Sequence, residues 1–167
     1  MNHNGPVHIR RNVEDFDDPY TETSQLPDNT VCRECGDVYA AGRWYARGHA
    51  MARKNDRTPQ HEVVCPGCRK QRDKLPGGIL RISGAFFGSH QDEIMNLIRN
   101  ETDKAHSANP LERVMSIEEI DGEIEVATTN EKLAQRIGKA LHKASSGNIE
   151  YKWSDDTKLA RVNWYRD

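Results

Sequence analysis

The chain has 167 residues, of which 35% are hydrophobic and 30% are charged, with a net charge of −2 at pH 7. This length excludes two large domains and fits one ordinary domain, or a small module beside a domain of about 90 residues. No run of about 18 apolar residues occurs, and the first residues are polar with Arg10 and Arg11, so the sequence predicts neither a membrane span nor a secretory signal. We therefore expect a cytoplasmic protein.

Charge is distributed unevenly along the chain. Residues 1–30 carry 2 Lys/Arg and 6 Asp/Glu, residues 31–76 carry 10 and 5, and residues 77–167 carry 12 and 15. Residues 1–30 also have few aliphatic side chains and no hydrophobic periodicity, which predicts an extended or disordered arm. The basic excess coincides with the segment that contains all four cysteines, and a local positive field favours an anionic partner.

Residues 31–76 have too few apolar residues for an independent hydrophobic core. They contain two CxxC pairs with 29 residues between them. In a chain without export signals, paired CxxC motifs indicate a metal site rather than disulfides. Four thiolates leave no open coordination position, which predicts a structural zinc site in a zinc-ribbon module, although iron fits the same tetrahedral sulfur set. The predicted ligands are Cys32, Cys35, Cys65 and Cys68.

Cations and aromatic residues lie together between the CxxC pairs, and further cations follow the second pair. Such side chains bind phosphates and stack on bases, which predicts contact with RNA. The same composition is typical of solvated loops, and Trp44 is also suited to covering the metal site, so these interpretations stay open. The candidate RNA-binding residues here are Arg43, Trp44, Arg47, Arg53, Lys54, Arg57, Arg69, Lys70, Arg72 and Lys74.

Residues 77–167 predict an α+β domain. A strand is expected over 79–87, followed by a helix that begins at a capping box formed by Ser89 and Asp92. Strands over 114–120 and 123–128 flank Asp121-Gly122, a strong hairpin signal. The hairpin register pairs Ile117 with Val126, and Glu119 with Ile124.

A second helix is expected between a capping box of Thr128 with Glu131 and the C′ residue Gly147, and two strands follow it. The resulting order, β-α-β-β-α-β-β, predicts a ferredoxin-like domain with an extra terminal strand. Four cations of the second helix form a stripe opposite its apolar face, which fits either a phosphate backbone or plain solvation. These candidates are Lys132, Arg136, Lys139 and Lys143.

No catalytic constellation is present in the sequence. We find no paired carboxylates, no nucleophile elbow and no phosphate-binding glycine loop. His49 and His61 lie between the CxxC pairs, but four sulfurs already saturate one ion. We therefore expect a protein that is not an enzyme and has no small-molecule substrate.

Parts of the chain resemble known families. The knuckles at 32–36 and 64–66, with Tyr39, resemble those of rubredoxins, which implies a one-iron electron carrier; Arg69 and the basic loop depart from that pattern. Most of the chain resembles a bacterial family of small zinc-ribbon proteins of poorly defined, stress-linked function. The residues that carry this second resemblance are Asp18-Pro19-Tyr20, Leu26-Pro27, Val31-Cys32 to Gly36, Gly42-Arg43-Trp44, Val64-Cys65-Pro66-Gly67-Cys68 and Arg72-Asp73.

The segments 78–80, 92–94 and 134–137 are remotely similar to the ribosome large-subunit export adaptor of the nonsense-mediated-decay group. That adaptor has more CxxC pairs and binds two zinc ions, whereas this chain has one four-cysteine site, and nuclear export does not carry over to a bacterial protein. The resemblances imply association with ribosomal RNA or a ribosomal subunit, with the four cysteines as the shared functional positions. A protein-binding adaptor with a structural zinc is the third alternative.

Overall fold

A computed structural model describes residues 26–54 and 61–167, so residues 1–25 of the predicted arm and Arg57 lie outside the described residues. Within the described ranges the chain forms two β-sheets and five helices, a mixed α+β arrangement. No helix in these ranges is both long enough and apolar enough to cross a bilayer. Thr30, the last residue of the predicted arm, already belongs to the first strand.

The first sheet lies in the cysteine module, which we define as residues 30–73. Its strands are three residues long and lie in the order β3-β2-β1-β4, with β1 antiparallel to β2 and parallel to β4. The elements are β1 (Thr30–Cys32), β2 (Val38–Ala40), β3 (Arg43–Tyr45), α1 (Ala50–Lys54), β4 (His61–Val63) and α2 (Pro66–Asp73). The buried cluster of this module consists of three cysteines with Trp44 and Val64, so its apolar core is small.

The second sheet lies in the sheet domain, which we define as residues 78–167. Its elements are β5 (Gly78–Ser83), α3 (Ala85–Ser89), α4 (Gln91–Ala108), β6 (Val114–Ile120), β7 (Glu123–Thr128), α5 (Glu131–Ser145), β8 (Asn148–Ser154) and β9 (Leu159–Tyr165). Apart from the short α3, this is the predicted order of helices and strands along the chain.

The strand order in the second sheet differs from the ferredoxin-like prediction. The observed order is β6-β7-β5-β9-β8. In a ferredoxin-like sheet the strand after the second helix lies beside the first strand, but here β8 lies at the edge. The expected extra strand, β9, takes the inner position and pairs in parallel with β5. The additional strand is therefore inserted into the sheet rather than appended to it.

The hydrophobic core lies between one face of this sheet and α4 and α5. Leu80, Val162 and Trp164 are completely buried on the strands, and Ile137 and Leu141 are buried on α5. Gly138 allows α5 to approach the sheet closely, because a Cβ there would lie 2.7 Å from Cγ1 of Val162. The domain thus has an apolar core of its own.

The predicted hairpin is confirmed, including its register of Ile117 with Val126 and Glu119 with Ile124. Asp121 and Gly122 both have positive φ, as a two-residue hairpin turn of this kind requires. Ile124 and Val126 are buried, but Ile117 is 38% exposed because β6 is an edge strand.

Both predicted helix N-caps are wrong. The N-cap of α4 is His90, which makes no capping bond through its side chain. The N-cap of α5 is Asn130, whose Oδ1 accepts a hydrogen bond from the N–H of Leu133 at 3.1 Å. Thr128 instead donates to backbone carbonyls, including that of Gly78. In both cases the helix begins one or two residues after the position that the sequence pattern indicated.

Candidate metal centre and its surroundings

The four cysteine side chains converge on one point. Their Sγ atoms all lie within 4.8 Å of one another. The Cys32–Cys68 and Cys35–Cys65 sulfur pairs are each 3.8 Å apart. A zinc–sulfur bond of about 2.3 Å implies about 3.8 Å between the sulfurs of a regular tetrahedron. The cluster could therefore hold a metal ion, and its dimensions fit a tetrahedral one.

Local backbone structure presents the first pair of cysteines. Cys32 ends β1, and the N–H of Gly36 donates to its carbonyl at 2.9 Å, which closes the turn that carries Cys35. Gly36 has a φ of 78°, a conformation that favours glycine. The turn therefore brings both sulfurs of the first pair to the same side.

The second pair begins helix α2. Cys65 is the N-cap, Pro66 occupies the first turn, and the N–H of Cys68 donates to Sγ of Cys65 at 3.4 Å. The N–H of Cys65 donates in turn to Sγ of Cys32 at 3.3 Å. Backbone N–H groups that point at sulfur stabilise the thiolate form, which is the form that binds metal.

Arg113 of the sheet domain approaches this cluster. Its Nη1 lies 3.3 Å from Sγ of Cys68, and its Nη2 lies 3.5 Å from the sulfurs of Cys35 and Cys65. Nη2 also forms an ion pair with Asp37 at 3.0 Å, and the two side chains are 12% and 7% exposed. A buried guanidinium–carboxylate pair therefore borders the cysteines.

The pKa values of these groups reflect their close contact. The hydrogen bond from the Cys65 thiol lowers the pKa of Cys35 to about 3, and the same bond raises that of Cys65. Burial, followed by the charge of Cys35, raises the pKa of Asp37 to about 6. Burial by itself would lower the pKa of Arg113, but bonds to the sulfurs of Cys68 and Cys35 raise it, so the guanidinium stays charged.

Trp44 does not lie where an RNA-stacking residue would. Only 6% of its surface is exposed, and it packs against the cysteine cluster and, edge to face, against Tyr39 at 5.6 Å. A buried ring cannot stack on a base, so the prediction of RNA contact is corrected for this residue. Its alternative interpretation, a cover over the cysteines, agrees with the structure.

The other candidate cations of the loop that lie within the described residues are on the surface of the module. Arg43 lies over the Tyr45 ring and donates to the carbonyl of Ala108 at the end of α4. Arg47 lies against Gly36: a Cβ atom added to Gly36 would be 2.9 Å from Cδ of Arg47. Arg53 and Lys54 are exposed in the last turn of α1.

Helix α2 carries the cations that follow the second CxxC pair. Arg69 and Lys70 are partly buried, and Lys70 donates to the carbonyl of Thr129 at 3.0 Å. Arg72 forms an ion pair with Asp73 at 3.1 Å. Lys74 is the exposed left-handed C-cap of the helix. Lys70 thus contributes to the contact between module and sheet domain.

All four members of the basic stripe on α5 are exposed, as their helical spacing predicted. Its members are Lys132, Arg136, Lys139 and Lys143. Arg136 forms an ion pair at 2.9 Å with Glu101 of α4, which also contacts Lys104 at 3.0 Å. Hydrogen bonds from Arg136 and then Lys104 lower the pKa of Glu101. The positive charge of the stripe is therefore partly compensated at one of its four positions.

Two residues beside the cysteines, Arg113 and Asp37, were not predicted from the sequence. Asp37 lies two residues after Cys35, and an acid close to a CxxC pair is a weak signal. Arg113 lies 45 residues beyond Cys68 in a connection between α4 and β6, with no motif around it. Only the folded arrangement brings it to the cysteines.

Comparisons of the chain with protein-family models, curated proteins and solved structures found no match.

Proposed function

We propose that the protein is a non-enzymatic, zinc-stabilised protein that binds ribosomal RNA or a ribosomal subunit, with a link to stress. The observation that carries the metal-binding part of the proposal is the convergence of four cysteine sulfurs, two pairs of which are 3.8 Å apart. Four sulfur ligands fill the coordination shell of zinc and leave no position for a substrate or water, so the ion stabilises the fold. Iron at the same ligands is the competing occupant.

Metal content separates zinc from iron. The protein is produced with both metals present, and bound metal is measured together with the visible absorption spectrum. We expect one equivalent of zinc and a colourless protein. A coloured protein with one equivalent of iron and a reversible redox couple would favour an electron carrier instead.

Support for RNA binding comes from exposed cations on two elements. The stripe on α5 has three lysines with exposed side chains, and α1 ends with Arg53 and Lys54. Contacts with phosphates release counterions, so affinity falls steeply as salt rises. The resemblance to the zinc-ribbon family and to the ribosome adaptor points to ribosomal RNA as the source of those phosphates.

Sedimentation through a sucrose gradient tests this proposal. Extracts of stressed and unstressed cells are compared at low and moderate salt, and we expect the protein to migrate with one ribosomal particle and to leave it as salt rises. A protein that stays at the top of the gradient under all conditions would contradict ribosome association.

A matched pair of charge reversals sharpens the test. The variant Lys139→Glu/Lys143→Glu alters the stripe, whereas Lys152→Glu/Arg161→Glu makes the same charge change on paired residues of β8 and β9, on the face of the sheet away from the helices. We expect the first variant to weaken RNA binding and lower the salt slope by about 2, and the second to leave both unchanged. Equal effects of the two would indicate a response to net charge alone.

A further inference from the structure

The backbone of Arg113 is fixed within the sheet domain. Its N–H donates to Oγ1 of Thr129 at 2.9 Å, and its carbonyl accepts from the N–H of Thr129, also at 2.9 Å. Thr129 is 1% exposed and lies between β7 and α5, where its hydroxyl donates to the carbonyl of Leu111 at 2.6 Å. These bonds anchor the backbone of Arg113 to Thr129, whose carbonyl also accepts from Lys70 of the cysteine module at 3.0 Å.

The side chain of Arg113, by contrast, is bound to the cysteine module. Nη1 donates to Cys68 Sγ and to Oε1 of Gln71, and Nη2 lies within reach of Asp37 and of two further sulfurs. Nε donates to the carbonyl of Pro110 at 2.7 Å, which holds the side chain in this direction. Each nitrogen of the guanidinium therefore has an acceptor. A lysine has no fork of donors that could make these contacts together.

The charge of the site favours this contact when metal is bound. A zinc ion with four thiolates carries a net charge of −2, and a cation beside it is attracted to that charge. Charge-assisted hydrogen bonds to thiolates are stronger than bonds to neutral thiols. Metal binding holds the four sulfurs in place and concentrates this charge beside Nη1 and Nη2, so the same event strengthens the contacts with Arg113.

Gly67 leaves the room that the guanidinium occupies. A Cβ at this position would lie 3.1 Å from Cζ of Arg113, 3.2 Å from Nε and 3.3 Å from Nη2. These distances are tighter than ordinary contacts, so the second CxxC pair and the arginine fit together through a glycine. This contact links Gly67, within the second CxxC pair, directly to Arg113 of the sheet domain.

We propose that Arg113 is a positioning residue that couples the loaded cysteine centre to the sheet domain, so that metal binding controls how firmly the cysteine module docks there. This inference rests on the metal centre proposed above and extends it. The metal then has two effects: it stabilises the module, and the loaded centre adds its negative charge to that of Asp37 in holding Arg113.

The first test measures zinc release from the full-length protein. Arg113→Met removes the donors and keeps an apolar side chain of similar length, and Arg81→Met is the control because Arg81 forms an ion pair with Glu125 on the exposed sheet face. Loss of a residue that supports metal ligands reduces metal affinity by about 10–100-fold. We expect zinc to leave Arg113→Met about 10–100-fold faster in the presence of a chromophoric chelator, and to leave Arg81→Met at the wild-type rate.

Cobalt(II) provides a readout that a general loss of stability would not change. Hydrogen bonds from Arg113 stabilise the sulfur lone pairs, so their loss moves the sulfur-to-cobalt charge-transfer band to lower energy. We expect this shift in cobalt-loaded Arg113→Met, a smaller shift in Arg113→Lys, and none in Arg81→Met. Unchanged release rate and unchanged band position in Arg113→Met would overturn the assignment.

Hydrogen exchange on the wild-type protein tests docking without any variant, which covers the case that Arg113→Met fails to fold. Metal removal is expected to increase exchange at residues 111–113 and at Thr129 as well as in the module, while β5 and β9 stay protected. Protection at 111–113 and Thr129 that is independent of metal would contradict the coupling. If the wild-type protein binds neither zinc nor cobalt, the proposed metal centre itself is wrong. If it binds one equivalent of metal, but Arg113→Met has the same release rate and the same band position as the wild type, only this inference is wrong.

Discussion

The cysteine module and the sheet domain bury different kinds of side chain. In the module, three cysteines account for most of a cluster completed by Trp44 and Val64. In the sheet domain, buried aliphatic and aromatic residues from three strands and three helices form a continuous core. Apolar burial can stabilise the second region by itself, whereas a segment with so little apolar surface needs metal–thiolate bonds. The comparison shows that one chain can contain two regions whose stability depends on different conditions.

Loss of the metal should have the largest effect and should separate the two regions. Structural zinc contributes about 10 kcal/mol or more to the folding of small metal-binding modules. We expect Cys65→Ser, or treatment with a chelator, to abolish amide protection in β1 and β2 while β5 and β9 keep theirs. Hydrogen exchange resolved by segment checks this, with chelator added to Cys65→Ser as a control that should change nothing further. Retained zinc and retained protection in Cys65→Ser would contradict the ligand set.

A cavity in the apolar core should act on the other region. Leu80 is completely buried on the central strand β5, and truncation of such a residue costs about 2–5 kcal/mol. We expect Leu80→Ala to lower the free energy of unfolding of the sheet domain by this amount while zinc content is unchanged. Leu75→Ala is the matched control, because Leu75 is 50% exposed and its truncation should cost less than about 0.5 kcal/mol. Equal losses in a denaturant titration would argue against the core described above.

Removal of the N-cap of α5 should have a smaller effect within the sheet domain. Asn130→Ala deletes the acceptor for the Leu133 N–H and the donor to Glu112 at 3.0 Å, with an expected loss of about 1–2 kcal/mol. Asn130→Ser keeps a capping oxygen and should recover part of the loss. Thermal unfolding of the three proteins measures the difference. A serine variant no better than the alanine variant would indicate that the bond to Glu112 dominates.

The smallest effect concerns pH and the Glu101 ion pairs. Because Arg136 and Lys104 lower the pKa of Glu101 in the folded state, the unfolded state binds a proton more readily. The pairs therefore stabilise the sheet domain above the unfolded pKa of about 4.3, and this contribution disappears as pH falls through the lower, folded pKa. We expect about 0.5–1 kcal/mol, which Glu101→Gln should remove at pH 7 but not at pH 2. Unfolding titrations at both pH values provide the check, and an equal loss at pH 2 would point to packing instead of charge.

Local patterns were enough to predict the parts of the molecule that depend on neighbouring residues. The convergence of the four cysteines, the Asp121-Gly122 hairpin with its register, and the end of α5 just before Gly147 all follow from spacing and turn chemistry. Both helix starts were misplaced because Ser89 and Thr128 match a capping pattern, whereas their hydroxyls donate to the carbonyls of Phe86 and Gly78.

Features that depend on distant parts of the chain could not be predicted. The position of β9 between β5 and β8 is decided by strand pairing over about 80 residues, and no local signal specifies it. Arg113 meets the cysteines only after both regions have folded. Composition left open whether Trp44 stacks on RNA or covers the cysteines, and its burial favours the second interpretation.

The inner position of β9 has a consequence for the order of folding during synthesis. β5 gains its parallel neighbour only when residues 159–165 have left the ribosome, and β8, which pairs with β9 alone, has no place in the sheet before that. Pairing across such a separation is slow, because a long loop must close before any contact forms. The cysteine module, whose strands lie within about 35 residues of one another, can complete its metal site long before the sheet closes. A ribosome that stalls near residue 150 would therefore carry a finished module attached to an incomplete sheet.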